Sequence, residues 1–597
     1  MPGYYALSQK FLAHLSHRRR WQVVGLMGLM LLGALAELLT IGAVVPFVSL
    51  LARPEMAAEL PVLQQSFSLM GWEDPENLVL PMSLAFIVIV VLATVLRLLL
   101  TYVSNKVTFA IGHDLSVKLY DRILDQPYSY HIAQNTSEVI AGVNKAQMLL
   151  SALLRPVMQG MTSLLMGLGI LTALIWVDAV TALAAGLVFV VLYWIIIRLF
   201  RAQLMKNSQI ISEAQATRVK AIQEGLGGIR DVILDANQHH YVQTFSRTDR
   251  QLRDAQATNA FLGQSPRYVV EMIGIGLIVG LALTLSLQTG GLIATLPILG
   301  ALALGAARLL PLIQQLYQAW ASFSGNFKVM EDVLDLLALP KNQQQVSKAM
   351  QLPFEHSLEL KDIEFSYGPE LEPVIQNLSV EIPKGSRVGI VGKTGSGKST
   401  LMDIVMGLLQ PTSGKLQVDG QEIGAAQMTA WQRHIAHVPQ HVYLSDASVA
   451  ENIALGEDLK HIDMHRMKKA AQQAQIADFI ETHRQGYETR VGECGIQLSG
   501  GQRQRIGIAR ALYKARADVL VFDEASSALD MDTETAVMEA VNQLDLNVTV
   551  FIIAHRVQTL RDCDLILRLD EGCLIKSGKY DEVIGFSSVD GDSEAAH

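Results

Sequence analysis

The stretch Gly392-Lys-Thr-Gly-Ser-Gly-Lys-Ser399 decides how the C-terminal half of this 597-residue chain folds. The apolar segment 387–391 precedes it, so the pattern predicts a strand, a glycine-rich loop and a helix in succession. Its glycines allow the backbone to approach a phosphate closely, and the loop N–H groups and the helix N-terminus point toward that anion. We therefore predict a nucleotide site, with Lys398 at the β and γ oxygens and Ser399 as a ligand of Mg²⁺. The residues assigned to the phosphates are Gly392, Lys393, Thr394, Gly395, Ser396, Gly397, Lys398, Ser399 and Thr400.

Two apolar segments further along the chain predict strands that end at the same site. Val519–Phe522 has the unbroken apolar pattern of a buried parallel strand, and Asp523 and Glu524 follow it. Asp523 is predicted to hold Mg²⁺, and Glu524 to polarise the attacking water. Val548–Ile553 leads to His555, which is predicted to contact the γ-phosphate. The alternatives are an ordinary exposed acidic pair and a structural histidine.

The composition indicates a membrane protein. Half of the residues are hydrophobic and 18% are charged, a balance unusual for a soluble domain. The net charge of −9 argues against nucleic acid as a partner, because such surfaces are usually basic. The cysteines, Cys494, Cys563 and Cys573, lack metal-site spacing and are predicted to be reduced structural thiols.

Long apolar segments upstream of residue 325 predict six membrane spans, each able to cross about 30 Å of hydrocarbon. They are Trp21–Leu51, Leu78–Thr101, Leu153–Trp176, Val180–Phe200, Tyr268–Leu287 and Leu292–Ile313. The two long connections, Tyr102–Ala152 and Arg201–Arg267, carry many basic residues, which places them and both chain ends in the cytoplasm.

The predicted fold class is a membrane α-helical bundle of six transmembrane helices with long cytoplasmic extensions, fused to an α/β P-loop ATPase domain. The predicted domains are an interfacial N-terminal helix (1–20), a transmembrane domain (21–325), a linker (326–357), a nucleotide-binding domain (358–586) and a disordered acidic tail (587–597).

With Leu498-Ser-Gly-Gly-Gln502 added, residues from Leu358 to about Ile584 resemble the nucleotide-binding domain of the ATP-binding-cassette family. The resemblance implies that Tyr367 stacks on adenine and that Gln440 senses Mg²⁺ and the membrane domain. It implies further that Ser527-Ala-Leu-Asp530 crosses a dimer interface. The implied signature residues, which cap the γ-phosphate of the opposite subunit's ATP, are Ser499, Gly500, Gly501 and Gln502. Cys494 departs from the family, whose exporters often have arginine there. A homodimer with two composite ATP sites follows.

Three arginines within or beside the spans suggest an anion site. Arg97 and Arg308 lie about sixteen residues after the external start of their spans, a depth of roughly 24 Å, and Arg267 begins a span that runs outward. Intramembrane arginine usually faces an interior cavity, although snorkelling toward the cytoplasmic headgroups is a competing explanation. Glu37 in the first span is either a counter-charge or a cavity residue; the sequence leaves this open.

The domain order resembles the half-size exporter branch of the family, which implies coupling helices near Tyr128–Asn135 and Leu234–Tyr241. The segments 126–138 and 224–231 resemble lipid-linked oligosaccharide flippases of bacterial protein N-glycosylation. In those proteins an external helix touches the lipid tail; Met56–Trp72 is such a helix or a simple loop.

The resulting hypothesis is a homodimeric exporter of the bacterial inner membrane that flips a lipid-linked, pyrophosphate-linked oligosaccharide. A lipid A or phospholipid flippase and a multidrug or peptide exporter are the rivals, and an ATP-gated channel or regulator comes after them.

Overall fold

The computed structural model describes residues 2–44, 47, 79–177, 179–286, 291–341, 352–514, 517–524, 530–542, 547–554 and 556–584. The predicted external helix Met56–Trp72, the predicted contact of His555 and the acidic tail 587–597 lie outside these residues, as does most of 527–530. The chain divides into two compact units, Met1–Gln126 with Tyr130–Lys341, and Pro127–Ser129 with Asn342–His597. The first unit therefore extends to Lys341, beyond the predicted domain limit at 325.

The described part of the first unit is helical. Its helices are α1 (Pro2–His14), α2 (His17–Gly42), α3 (Val79–Leu124), α4 (Tyr128–Ala133), α5 (Thr136–Met148), α6 (Arg155–Val177), α7 (Ala179–Gly227), α8 (Ile229–Leu234), α9 (Gln238–Gln264), α10 (Pro266–Ser286), α11 (Gly291–Gly325) and α12 (Phe327–Leu337). A π-helical segment, Leu149–Leu154, connects α5 to α6.

Helices lie on all six predicted spans. Among the described residues, four stretches are long and apolar enough to cross a membrane: His17–Thr40, Met82–Leu124, Thr136–Trp176 and Ala182–Gly227. Helices α10 and α11 coincide with the last two predicted spans. Helix α3 has 46 residues and α7 has 49, so each is roughly 70 Å long, more than twice the hydrocarbon thickness. The predicted long extensions are thus confirmed as continuous helices.

Small residues let the helices of this unit approach one another closely. A Cβ atom added at Gly160 of α6 would collide with the Cβ of Ala319 on α11, and one added at Gly169 would lie 2.7 Å from the carbonyl oxygen of Ala34 on α2. Such contacts favour helix association where the hydrophobic effect is absent. They hold α6 between α2 and α11, the helices that carry Glu37 and Arg308.

The predicted linker and coupling segments differ in detail from the observed helices. Helix α12 occupies the start of the predicted linker 326–357, and its apolar side chains at 329, 330, 333, 334 and 337 are buried. Helix α4 forms inside Tyr128–Asn135. The second predicted coupling segment, Leu234–Tyr241, instead covers the end of α8, a turn and the start of α9. The coupling role of either segment stays a prediction.

The second unit contains two sheets with helices around them. Its strands are β1 (Ser357–Phe365), β2 (Ile375–Pro383), β3 (Arg387–Val391), β4 (Ser413–Val418), β5 (Gln421–Glu422), β6 (Ile435–Val438), β7 (Val519–Asp523), β8 (Thr549–Ile553), β9 (Leu565–Asp570) and β10 (Cys573–Gly578). Its helices are α13 (Lys398–Val405), α14 (Ala425–Arg433), α15 (Val449–Ile453), α16 (Met464–Gln473), α17 (Ala477–Thr482), α18 (Gly500–Tyr513), α19 (Met531–Asn542) and α20 (Tyr580–Val583).

Strand order brings the predicted nucleotide residues to one edge. The smaller sheet is antiparallel with the order β2-β1-β4-β5, and the larger has the order β10-β9-β3-β8-β7-β6. Strands β9, β3, β8, β7 and β6 are parallel, so their carboxyl ends lie together. In open sheets of this type, ligands bind beyond those ends.

Candidate functional site

The glycine-rich loop has the geometry of a phosphate cradle. It connects β3 to α13 and turns through positive φ at Gly395 (84°) and Gly397 (93°), a conformation that side chains with a Cβ rarely adopt. A Cβ at Gly397 would lie 2.7 Å from Cδ1 of Ile375. The buried Oγ of Ser396 has no hydrogen-bond partner among the described residues. The unpaired hydroxyl and a loop whose backbone has no room for a Cβ atom both fit a bound polyphosphate.

The side chains of Lys398 and Tyr367 lie at positions where they could contact a nucleotide. The Lys398 Nζ donates to the carbonyl oxygens of Gly392 (2.8 Å) and Lys393 (2.9 Å), so its ammonium group lies over the loop. The Tyr367 hydroxyl lies 3.1 Å from Oγ1 of Thr400. The Tyr367 ring is about half exposed and edge-on to Phe365, which leaves a face open for stacking.

The acidic end of β7 meets the end of β6. Val438 and Phe522 are neighbours in the sheet, which places Gln440 beside the residues that follow Phe522. The Nε2 of Gln440 donates to Oε2 of Glu524 over 2.6 Å. Glu524 has a positive φ of 49°, and its N–H donates to the carbonyl oxygen of Ile553 (3.0 Å). Strained backbone held by a neighbouring strand is common at active sites.

The carboxylates at this edge favour a cation. Burial and the charge of Glu524 raise the pKa of Asp523, while Lys398 opposes the shift. Burial and Asp523 raise the pKa of Asp403 to about 6. Carboxyl groups that ionise unfavourably next to a hydroxyl such as Ser399 suit a divalent ion with oxygen ligands. Asp403 was not among the predicted site residues, although it lies four residues after Ser399 and so on the same face of α13.

The Leu498–Gln502 segment starts α18. Ser499 is the N-cap: its Oγ accepts from the N–H of Gln502 (3.2 Å), and its N–H donates to Oε1 of Gln502 (2.8 Å). This reciprocal pair is a capping box, which fixes the helix N-terminus and its exposed N–H groups. Just before it, Cys494 is exposed and has a positive φ of 51°.

In the first unit, two of the three predicted arginines converge. Arg97 and Arg308 both pair with the buried carboxylate of Glu37, and the Arg308–Glu37 contact measures 2.7 Å. The three side chains line a cavity of about 510 Å³ together with polar residues that include Gln159, Ser163 and Gln315. Glu37 is therefore both the counter-charge of the two arginines and a residue of the cavity wall, the two alternatives that the sequence left open.

The third arginine lies outside this cavity in the described chain, so the structure does not bring Arg267 together with Arg97 and Arg308. The Nε of Arg267 pairs with Oε1 of Glu271, one turn further along α10, at 2.6 Å. Its side chain is 62% exposed, against 46% for Arg97 and 30% for Arg308, and it is not part of the cavity wall. Depth along a helix places a residue in the membrane but does not fix the direction of its side chain.

Comparisons with known proteins agree with both halves of this architecture. Residues 375–527 match the family described as ABC transporter, and residues 62–264 match the ABC transporter transmembrane region. The chain is 29% identical to the β-(1→2)glucan export ATP-binding/permease protein of Rhizobium etli, over 82% of this chain and 83% of that protein. It is 30% identical to the ATP-dependent lipid A-core flippase of Pseudomonas aeruginosa, over 80% and 79% of the two chains.

A third relative and a solved structure extend the comparison. The leukotoxin translocation ATP-binding protein of Mannheimia glucosida is 30% identical, over 84% of this chain and 70% of that protein. The structure of a bacterial Atm1-family ABC exporter with ATP bound matches with a TM-score of 0.76 and 24% identity, covering 96% of this chain and 99% of the other. At that identity the structural match supports the fold.

Proposed function

Because the chain belongs to the ATP-binding-cassette exporters, as a half-transporter whose ATPase domain binds ATP with Mg²⁺, we propose a specific cargo for it. The cargo is a lipid-linked, pyrophosphate-linked oligosaccharide, which a homodimer flips across the bacterial inner membrane. Both chain ends and the ATPase domains are on the cytoplasmic side. Residues of the membrane unit select this cargo, and residues of the ATPase domain supply the energy.

The observation that carries the cargo proposal is the convergence of Arg97 and Arg308 on Glu37 beside a cavity. Two guanidinium groups and one carboxylate leave a net positive charge in a membrane-embedded unit. Intramembrane ions face interior cavities and mark substrate pathways. Arginine can form two parallel hydrogen bonds to a phosphate, which suits it to diphosphate binding better than lysine.

The relatives are named for different cargoes, and the charge of the cavity supports the choice among them. Of the three relatives above, one is named for β-(1→2)glucan, one for lipid A-core and one for a leukotoxin. A neutral drug would gain little from a positively charged cavity, whereas a phosphate-bearing lipid would gain much. A lipid A or phospholipid flippase shares the same anion chemistry and is therefore the nearest alternative.

The positions of the ATPase residues support the roles that we propose for them. Lys398 and the loop N–H groups hold the phosphates, while Ser399 and Asp523 provide oxygen ligands for Mg²⁺, which neutralises phosphate charge when bound. Glu524 orients and polarises the attacking water, and Gln440 keeps the Glu524 carboxylate in place through the 2.6 Å hydrogen bond. Gly500 and Gly501 at the start of α18 present N–H groups to the partner subunit's ATP, and the capping box of Ser499 and Gln502 holds that helix start in place.

The test is reconstituted flipping measured beside ATPase activity in the same vesicles. Arg97→Ala and Arg308→Ala should each slow flipping of a polyprenyl-diphosphate saccharide by roughly 10- to 100-fold, the range for losing a hydrogen bond to a charged group. Lysine at either position should restore part of the rate. Basal ATPase should persist, because the nucleotide residues are unchanged.

Arg267→Ala is the matched control, since Arg267 pairs with Glu271 at an exposed position outside the cavity. It should flip cargo at close to the wild-type rate. If Arg97→Ala and Arg308→Ala flip the saccharide as fast as Arg267→Ala does, the diphosphate cargo is wrong.

A further inference from the structure

A second cavity adjoins the charged one in the membrane unit. It has a volume of about 270 Å³ and shares two wall residues, Gln159 and Gln315, with the cavity that contains Arg97 and Arg308. Its other walls come from Pro156 at the start of α6, the end of α9, the last turns of α11 and Asn326. The two cavities are therefore adjacent, with this pair of glutamines in the wall of both.

The walls of this second cavity are rich in side-chain amides, and none of the described residues that line it is charged. The amide residues are Gln159, Asn259, Gln264, Gln315, Gln318 and Asn326. They come from α6, α9 and α11 and from the residue that follows α11. The cluster therefore arises from the packing of three helices and not from the sequence pattern of one helix.

Some of these amides support the structure and others are free. Asn259 donates to the carbonyl oxygen of Gly325 (3.2 Å) and accepts from Asn207 (2.8 Å), and Gln315 accepts from the hydroxyl of Ser163 (2.6 Å). The side-chain amides of Gln159, Gln264 and Gln318, by contrast, make no hydrogen bond to another residue in the described ranges. Polar groups in a membrane-embedded unit are costly unless a partner or a polar cavity satisfies them.

We propose that this amide-lined cavity, formed by Gln159, Gln264 and Gln318, is the subsite that binds the saccharide of the cargo. The proposal rests on the proposed function and assigns the sugar to one side of the arginine pair. An amide offers both donors and an acceptor, which matches a sugar hydroxyl that also does both. The absence of charge from this wall suits a neutral sugar, while the neighbouring Arg97 and Arg308 suit its diphosphate.

The spacing agrees with a diphosphate joined directly to a sugar. Gln318 follows Arg308 by ten residues on α11, a rise of about 15 Å, and Gln159 and Gln315 line both cavities. The amide cavity lies toward the start of α6 and the end of α11, which is the predicted cytoplasmic side. A lipid in the inner leaflet would place its phosphates at the arginines and its sugar on this side.

The experiment compares two ligands that differ only in the sugar. Full-length protein in lipid nanodiscs is titrated with a polyprenyl diphosphate and with the same lipid carrying an N-acetylhexosamine disaccharide. The variants are Gln159→Leu, Gln264→Leu and Gln318→Leu, with Gln256→Leu as the matched control on α9, outside the cavity. Each cavity variant should raise the Kd of the glycosylated ligand about fivefold, the effect of one net hydrogen bond, and leave the Kd of the sugarless ligand unchanged.

Arg97→Ala separates this proposal from the proposed function. If wild-type protein binds neither ligand, or Arg97→Ala binds both as wild type does, the diphosphate cargo itself fails. If Arg97→Ala weakens both ligands but the glutamine variants alter both equally or neither, the cargo stands and the sugar subsite is wrong. Equal wild-type affinity for the two ligands also overturns the subsite. If a leucine variant loses basal ATPase activity, the corresponding Gln→Asn variant, which keeps the amide on a shorter side chain, replaces it in the titration.

Discussion

The nucleotide site and the membrane cavity hold charge with different parts of the chain. At the nucleotide site, backbone N–H groups and strand ends surround the phosphate position, and single side chains such as Lys398 and Glu524 add separate functions. In the membrane cavity, two long side chains, Arg97 and Arg308, depend on one buried carboxylate, Glu37. Substitutions at the first site should therefore remove a chemical step and leave the fold intact. At the second they should affect stability as well as binding.

The largest expected effect is at Glu524. Glu524→Gln keeps the shape and the contact with Gln440 but cannot polarise water, so we expect ATP turnover to fall by about 10²–10⁴-fold, the contribution of a positioned general base. ATP binding should persist and the closed dimer should accumulate. Turnover and nucleotide binding are measured on the same purified protein.

Lys398→Ala is the counterpart, because it removes a group that holds phosphate and leaves Glu524 in place. It should lose nucleotide binding together with turnover. Wild-type turnover by Glu524→Gln would show that another residue polarises the water.

The second prediction tests whether each ATP site is composite. Lys398→Ala and Ser499→Arg chains should each be nearly inactive as homodimers, because each lacks one half of both sites. The isolated heterodimer should recover roughly half of the wild-type rate, since it has one intact site of two.

The assay is ATPase activity after the two variants are co-expressed with different tags and the doubly tagged dimer is isolated. Normal hydrolysis by either pure variant, or by a native monomer, would contradict the composite site.

The third prediction concerns Glu37. Glu37→Gln leaves two partly buried guanidinium groups side by side without their counter-charge. Breaking a buried ion pair costs about 3–5 kcal/mol, and because both arginines are partly exposed we expect the lower end of that range. We expect a lower thermal inactivation temperature in detergent, and recovery when an anionic lipid ligand is added. Glu271→Gln is the control, because it removes the exposed partner of Arg267 and should change stability by less than about 1 kcal/mol. Equal effects of the two substitutions would mean that the triad is not a stability element.

The same contrast explains how much the sequence could predict. Parallel strands bring their carboxyl ends to one edge, so a motif at the end of each strand predicts which residues meet; Gln440 and Glu524 do so. Ser499 and Gln502 also fit a sequence rule, the capping box, although their assigned contact with the partner's ATP stays a prediction.

Less of the membrane unit could be predicted, because the sequence of an apolar helix does not show which of its sides faces a cavity. The length of a span predicts depth, and Arg97 and Arg308 do share a cavity, but the direction of Arg267 depends on helix rotation, which hydropathy does not encode. The amide cavity depends on the contact of α6, α9 and α11, which are distant in sequence. Helix α12 could have been found, because its five buried apolar residues recur at helical spacing.

The smallest expected effect is at Asp403. This residue is the exception at the nucleotide site, because its substitution should change the stability of the fold. Burial and Asp523 raise its pKa to about 6 from an ordinary 3.8. The folded domain therefore binds the proton more tightly than the unfolded chain does, and the stability that this gives is present below the unfolded pKa and lost as pH rises through about 6. Asp403→Asn stays neutral at every pH, so we expect it to melt at a higher temperature than wild type near pH 8. That advantage should shrink as the pH falls toward 5. Thermal unfolding without nucleotide and with a chelator, at several pH values, measures the difference. An advantage that stays constant with pH would show that the substitution acts through packing and that the carboxyl group does not titrate as the geometry indicates.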